Sequence, residues 1–179
     1  SSKREAVINL LTNDEEEHGG GVILPGTIES IRSPVKYFRQ RVRFGAFVSE
    51  DMQTMHYLMW NNEGIPCRIV DQFPIASQLV NDLLKPLKRQ LLARPILLRN
   101  LSAVHFLTTL SGHALISLFY DGNKNLYNNE IMQNEWHTAC DDTIKQLLLE
   151  MESLGSTVEA LSIIGNAKHV RMVVPIGAT

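Results

Sequence analysis

Val104-His-Phe-Leu-Thr-Thr-Leu110 and His113-Ala-Leu-Ile-Ser-Leu-Phe-Tyr120, joined by Ser111-Gly112, are the runs on which the fold turns. Both are apolar and about a strand long, and Ser-Gly suits a two-residue hairpin turn. Such a turn sets Leu110 opposite His113 and Phe106 opposite Ser117. Both faces of the hairpin are then mostly apolar, so it belongs in the middle of a sheet, covered on both sides. In this register His105 and His113 fall on opposite faces and do not form a metal pair.

Upstream, Leu79, Val80, Leu83, Leu84, Leu87 and Leu91 recur at three- and four-residue spacing, the mark of an amphipathic helix. Asp71-Gln-Phe-Pro74 reads as its start, with Pro74 in the first turn. Pro86 removes a donor and crowds the carbonyl of Asp82, so a kink or break is expected near Lys85. Lys85, Lys88, Arg89, Arg94 and Arg99 make a basic surface here, read first as the solvated face of the helix. Further upstream, strands are expected at Arg41–Val48, Met55–Trp60 and Cys67–Val70. The polar turns Ser49–Thr54 and Asn61–Gly64 separate them.

Downstream, Asp121-Gly-Asn123 ends the hairpin. A long helix is expected from about Asn129 to Leu154, with Gly155 as its cap. Met132, Trp136, Cys140, Ile144, Leu148 and Met151 form its core stripe, which makes Cys140 a buried, inert thiol. Two strands, Ala160–Ile164 and His169–Val174, flank a turn at Gly165-Asn166. The class is α+β: an antiparallel sheet of hairpins with a kinked or broken helix and one long helix packed on it. Residues 1–30 carry a short helical pattern at Glu5–Leu11 and Gly19-Gly-Gly21, and read as a flexible extension. Residues 31–179 read as the folded domain.

The 179 residues are 44% hydrophobic and 20% charged, with a net charge of −2, so any polyanion must be held by a local patch. Cys67 and Cys140 are far apart and in no metal spacing. No disulfide framework and no metal are expected, and a reducing intracellular compartment follows, cytoplasmic or mitochondrial. No apolar run is long enough to span a bilayer, so no membrane partner is expected. The chain begins Ser1-Ser-Lys-Arg rather than with Met, as a processed form or a fragment would.

Charge is concentrated in Arg32-Ser-Pro-Val-Lys-Tyr-Phe-Arg-Gln-Arg-Val-Arg-Phe-Gly45, with five basic residues in fourteen and no acid. Basic residues interleaved with Tyr37, Phe38 and Phe44 suit a nucleic-acid backbone with bases stacking beside it. A solvated, protected edge strand is the other reading of the same residues.

Three runs occur in a fixed order: Arg32-Ser-Pro-Val35, Asp71-Gln-Phe-Pro-Ile-Ala-Ser-Gln-Leu-Val80 and Phe106-Leu-Thr-Thr-Leu-Ser-Gly-His-Ala-Leu-Ile-Ser-Leu-Phe-Tyr120. Together they resemble the N-terminal half of the bacterial-type tRNA uracil-5 methyltransferases, from about Ile31 to Ile164. The resemblance implies an α+β RNA-binding part, followed in family members by a Rossmann-like domain that binds S-adenosylmethionine. There a cysteine attacks C6 of the uracil and a base removes the C5 proton, after the target base has left its stack. This chain has no Gly-rich cofactor crossover, no Asp-Pro-Pro and no Ser-Cys-Asn-Pro run. No catalytic residue is therefore assigned, and S-adenosylmethionine is expected only if a catalytic domain follows.

The resemblance also locates departures. The family's basic strand reads Arg-x-Glu-Phe-Arg, whereas here Arg41-Val-Arg-Phe-Gly45 stands. A family aromatic corresponds to Ser102 and a family histidine to Asp121. Arg32, Lys36, Arg39, Arg41 and Arg43 are expected at RNA phosphates. Tyr37 or Phe44 is expected to stack on a base, Phe44 being equally readable as core. The expected partner is RNA, either a tRNA T arm or ribosomal RNA, alongside a catalytic domain or other ribonucleoprotein subunits. Three functions stay open at this point. One is the RNA-binding domain of a uracil-5 methyltransferase-like protein. Another is an inactive derivative serving as a subunit or assembly factor of a ribonucleoprotein such as a mitochondrial ribosome. The third is a protein-interaction module.

Overall fold

The computed structural model describes residues 34–69, 72–121, 129–167 and 170–173, all within the compact unit Pro34–Thr179. The expected extension over 1–30, its short helix and Arg32 lie outside the described residues. Seven described strands form one sheet: β1 (Arg41–Val48), β2 (Met55–Trp60), β3 (Pro66–Ile69), β4 (Leu101–Thr108), β5 (His113–Tyr120), β6 (Ala160–Ala167) and β7 (Val170–Val173). Their spatial order is β3-β2-β1-β4-β5-β6-β7. Three helices are described: α1 (Gln78–Leu92), α2 (Pro95–Leu98) and α3 (Glu130–Ser153). The class is α+β.

The β4–β5 hairpin lies in the middle of the sheet as expected, but its register differs by one. Phe106 pairs with Ile116, not Ser117, and Leu107 with Leu115. The loop holds three residues rather than two, closed by Thr109 and His113, with Gly112 at φ +82°. A turn ending in a left-handed glycine matches the twist of the flanking strands. One residue of register moves every side chain to the other face. His105 and His113 therefore share a face, four residues apart along β5, since His105 pairs with Ser117. A bulge between Leu101 and Ala103 restores Leu101 to the level of Tyr120.

An isolated parallel bridge joins Arg39 to Ala76. Between the seven strands all pairings but one are antiparallel; β5 and β6 are parallel, His113 beside Ala160. The helix between them explains this. Twenty-four residues of α3 span about 36 Å, enough to carry the chain back along the whole sheet.

Helix α1 begins at Gln78, later than Asp71–Pro74. Ser77 caps it, its hydroxyl accepting from the Val80 N–H. Buried Asn81 reaches back, accepting from the Phe73 N–H and donating to the carbonyls of Phe73, Ala76 and Ser77. These bonds hold residues 73–77 as a turn. The helix runs unbroken past Pro86, and the interruption falls instead at Ala93–Arg94, before α2.

Helix α3 ends in a Schellman motif at Gly155: the Gly155 N–H bonds the Glu152 carbonyl and the Ser156 N–H bonds that of Met151. Its buried stripe is Trp136, Cys140, Thr143, Leu147 and Met151. Leu148 is exposed, so the stripe is rotated toward Leu147 from the one expected. Gly165 and Asn166 lie inside β6 rather than in a turn. Gly165 is there for close approach: a Cβ would come within 2.7 Å of the Trp136 ring.

The core lies between the helices and one sheet face. Phe44, with Phe73, Tyr57 and Phe106 at 5.4–6.1 Å in tilted or edge-on contact, is its centre on the β1 side. No described helix covers the other face, contrary to the expectation of cover on both sides. No described helix is long and apolar enough to cross a membrane.

Candidate nucleic-acid interface

Alternation in β1 decides what reaches the open face. Val42 and Phe44 turn inward and are buried, while Arg41 and Arg43 are exposed. Register adds His105 and Leu107 from β4, Ser117 and Phe119 from β5, and His56, Leu58 and Trp60 from β2. The strand is aimed by a buried polar knot: the Thr108 hydroxyl contacts that of Ser77 at 2.8 Å and donates to the side chain of Gln40 at 2.7 Å. The start of β1, the end of β4 and the cap of α1 are thereby fixed together.

Each arginine is steadied by a ring from another strand, Arg41 by one on adjacent β4 and Arg43 by one on β5 beyond it. The Arg41 Nε–H donates to His105 Nε2 at 3.0 Å. The Arg43 guanidinium lies over the Phe119 ring, 4.8 Å from its centroid, a cation–π contact. Among the described residues neither arginine has a carboxylate partner. Their remaining N–H donors suit phosphate oxygens. Burial, then the charges of Arg41 and Arg43, holds the His105 imidazole below its ordinary pKa. Burial, then Arg68 and Lys88, does the same for His56. Among the described residues the buried His56 Nδ1 has no hydrogen-bond partner.

The other expected site residues divide. Lys36, Tyr37 and Arg39 are exposed on the segment leading into β1. That segment is pinned by Tyr37 N–H to Pro74 O at 2.8 Å, Arg39 N–H to Ile75 O at 2.9 Å and Ser77 N–H to Arg39 O at 2.8 Å. Phe44 is corrected: at 0% exposure it belongs to the core and offers no ring face to a base. Two of the expected basic residues at α1 and just past its end, Arg89 and Arg94, take part in a contact between helices. Arg89 and Gln90 both reach the Glu150 carboxylate at 2.6 Å, and Arg94 bonds Gln90, so this set fastens α1 to α3.

Gly45, Ser102 and Asp121, expected from the resemblance to be departures from its pattern, line one cleft of about 610 Å³ together with Leu58, Trp60 and Arg99. Arg43, the fourth such position, is not among the lining residues and lies over Phe119. Sequence reading missed Trp60, which walls the cleft, and the pairing of Arg41 with His105. The alternation of Arg41, Arg43 and Gly45 against Val42 and Phe44 was the available signal for the face; nothing local signalled the cross-strand partners.

Cys140 is buried, and burial followed by the Asp141 charge pushes its thiol up, so it is no nucleophile. Among the described residues no cluster of three or more His, Cys, Asp or Glu could hold a metal. The described residues do not fit S-adenosylmethionine. None forms the glycine-rich turn from strand into helix that the resemblance leads one to expect for that cofactor.

Comparison with known proteins places this arrangement. The family model for tRNA (uracil-5-)-methyltransferase matches residues 24–175. A tRNA/tmRNA (uracil-C(5))-methyltransferase of Vibrio cholerae is 36% identical over 146 residues, covering 82% of this chain and 35% of the relative. Its counterpart in Dickeya chrysanthemi is 32% identical over 142 residues, 79% of this chain and 34% of the relative. That of Acinetobacter baumannii is 34% identical over 131 residues, 71% and 34% respectively. The chain thus spans about a third of the length of these relatives. With the match running from before β1 to beyond β7, the chain belongs to the tRNA (uracil-5-)-methyltransferase family.

Proposed function

We propose that residues 34–173 are the RNA-holding part of a uracil-5 RNA methyltransferase-like protein. The observation that carries this is the open sheet face, where Arg41 and Arg43 stand on His105 and Phe119 and, among the described residues, have no carboxylate partner. Phosphates of a tRNA T arm, or of another RNA, would lie along this face. Lys36 and Arg39 would extend the track and Tyr37 would offer an exposed ring. Methyl transfer to C5 of uracil is proposed for the whole protein only. S-adenosylmethionine would be held by residues other than those described.

Filter binding of a T-arm stem–loop at several salt concentrations tests this. Phosphate contacts make affinity fall steeply with salt, by close to one power of salt per contact. Arg41→Ala with Arg43→Ala is expected to weaken binding about tenfold or more at low salt and to lower the slope by about two. Unchanged affinity and slope would move the RNA surface elsewhere and sink the assignment.

A second reading draws on the cleft, where Gly45, Ser102 and Asp121 meet. In it the protein holds RNA without modifying it, as a ribonucleoprotein subunit would. Methylation of T-arm RNA by the full native protein decides: robust turnover removes this second reading.

A further inference from the structure

His105 faces both arginines of β1. Register sets it directly opposite Arg43 and, on its other side, beside Ser117 of β5. The Arg41 Nε–H donates to its Nε2 at 3.0 Å. A ring nitrogen that accepts carries no proton, so the imidazole is neutral here and its hydrogen is on Nδ1. Burial, then the charges of Arg41 and Arg43, favours that neutral form. The charged groups that face the ring from β1 are these two arginines, and on its own strand Ala103 and Leu107 share its side of the sheet. From β5 come Ser117 and the Phe119 ring, 6.3 Å away and tilted by 39°, with His113 four residues along from Ser117. Beyond them β6 brings Ile164 beside Ser117 and Asn166 beside Phe119. Glu159, just before β6, is held at the hairpin loop, where its N–H bonds the Gly112 carbonyl. Among the described residues no carboxylate pairs with Arg41 or Arg43, and no described helix covers this face. A docked phosphate would therefore bring the ring an anion that the described residues do not supply.

We propose that His105 is a further RNA-binding residue of this face, and that it takes up one proton when a phosphate docks on Arg41. In the free protein its Nε2 is an acceptor and occupies one donor of Arg41. A phosphate oxygen within hydrogen-bond reach favours the imidazolium that the two arginines disfavour. The proton comes from solvent, and the N–H bond formed on Nε2 is the only covalent change. The hydrogen bond from Arg41 is given up, and the Arg41 Nε–H and the His105 Nε2–H both become donors to phosphate oxygens. Binding and protonation are then linked. Affinity rises as pH falls through the histidine range, by up to about tenfold per pH unit for one proton. The inference rests on the proposed RNA-holding role of Arg41 and Arg43.

The probe is a fluorescently labelled uridine dodecamer, whose bases do not titrate between pH 5.5 and 7.5. Anisotropy reads its affinity at fixed low salt across that range, below the melting temperature at each pH. The native protein is expected to bind about fivefold or more tighter at pH 5.5 than at pH 7.5. His105→Asn loses this response and stays near the weaker affinity. His105→Lys, cationic throughout, binds at pH 7.5 about as the native protein does at pH 5.5, again without the response. A ring that merely props Arg41 would instead leave the response intact in both variants, which overturns the proposal. His56→Asn keeps the full response; its loss there but not in His105→Asn overturns the assignment to His105. Calorimetry of the native protein in two buffers of different ionisation heat counts protons without any variant. Net uptake near pH 6.5 is expected, and zero uptake overturns the proposal. Affinity independent of pH, with Arg41→Ala and Arg43→Ala still weakening binding, overturns the role of His105 and leaves the arginine face standing. No binding of the dodecamer or of the stem–loop overturns the RNA-holding role and this inference with it.

Discussion

His105 shows how one residue joins stability to the proposed surface. Its Nε2 accepts from Arg41, and burial first, then the charges of Arg41 and Arg43, opposes a charge on the ring. With its proton affinity lowered in the folded state, His105 takes up a proton first in the unfolded chain. The stability it confers is therefore complete above the ordinary histidine value of about 6.5 and is lost as pH falls from there toward the lower folded-state value. Thermal melts at pH 7.5 and 5.5 are expected to show a drop in Tm that is smaller in His105→Asn. Equal drops in both proteins would exclude His105 as a source; His56, lowered for similar reasons, accounts for a remainder. Phe44 illustrates the same alternation from the inside. Its neighbours at odd positions face out, so its own ring can only face in.

At the scale of elements, the long helix is fastened to the sheet by a short polar chain inside the core. Trp136 Nε1–H donates to the Tyr120 hydroxyl at 2.9 Å, and that hydroxyl donates to the Leu97 carbonyl at 3.2 Å. Three elements, α3, β5 and α2, meet at one hydroxyl. Tyr120→Phe would keep the ring and strand both partners in the core. A loss of about 1–3 kcal/mol is expected in denaturant unfolding, the cost of buried groups left unpaired. A change below a few tenths would mean the partners find substitutes. The hairpin teaches a different lesson. Apolar runs and a Ser-Gly pair identified both strands, yet loop length hung on whether Leu110 belonged to the strand or the turn. That single residue decided which face every side chain of β5 joined relative to β4.

At the scale of the molecule, all three described helices lie on one side of the sheet, and none of them covers the other face. A ligand that binds only the folded state raises its stability by mass action. With T-arm RNA at about a hundred times its dissociation constant, a gain of about 2.7 kcal/mol is expected, read as a rise in Tm. The rise should vanish in high salt and shrink in the Arg41, Arg43 double alanine variant. Loss of the rise in high salt without any effect of the double substitution would place the phosphate track outside β1. Family membership sets the context for these tests, because the chain matches about a third of each relative.

The sequence by itself determined what depends on short-range pattern. Period-two alternation placed β1 and β2 to the residue, and the run from Asn129 to Gly155 announced α3 and its cap, because strand and helix geometry repeat within a few residues. The ordered runs also carried the family. Only the tertiary structure decided what depends on neighbours distant in the chain. These are the parallel β5–β6 pairing that follows from the length of α3, and the one-residue register that puts His105 and His113 on a common face. They also include Trp60 seated over Gly45 and the arginines standing on His105 and Phe119. Such pairings are set by how strands lie side by side, and no local propensity encodes which residue will be opposite.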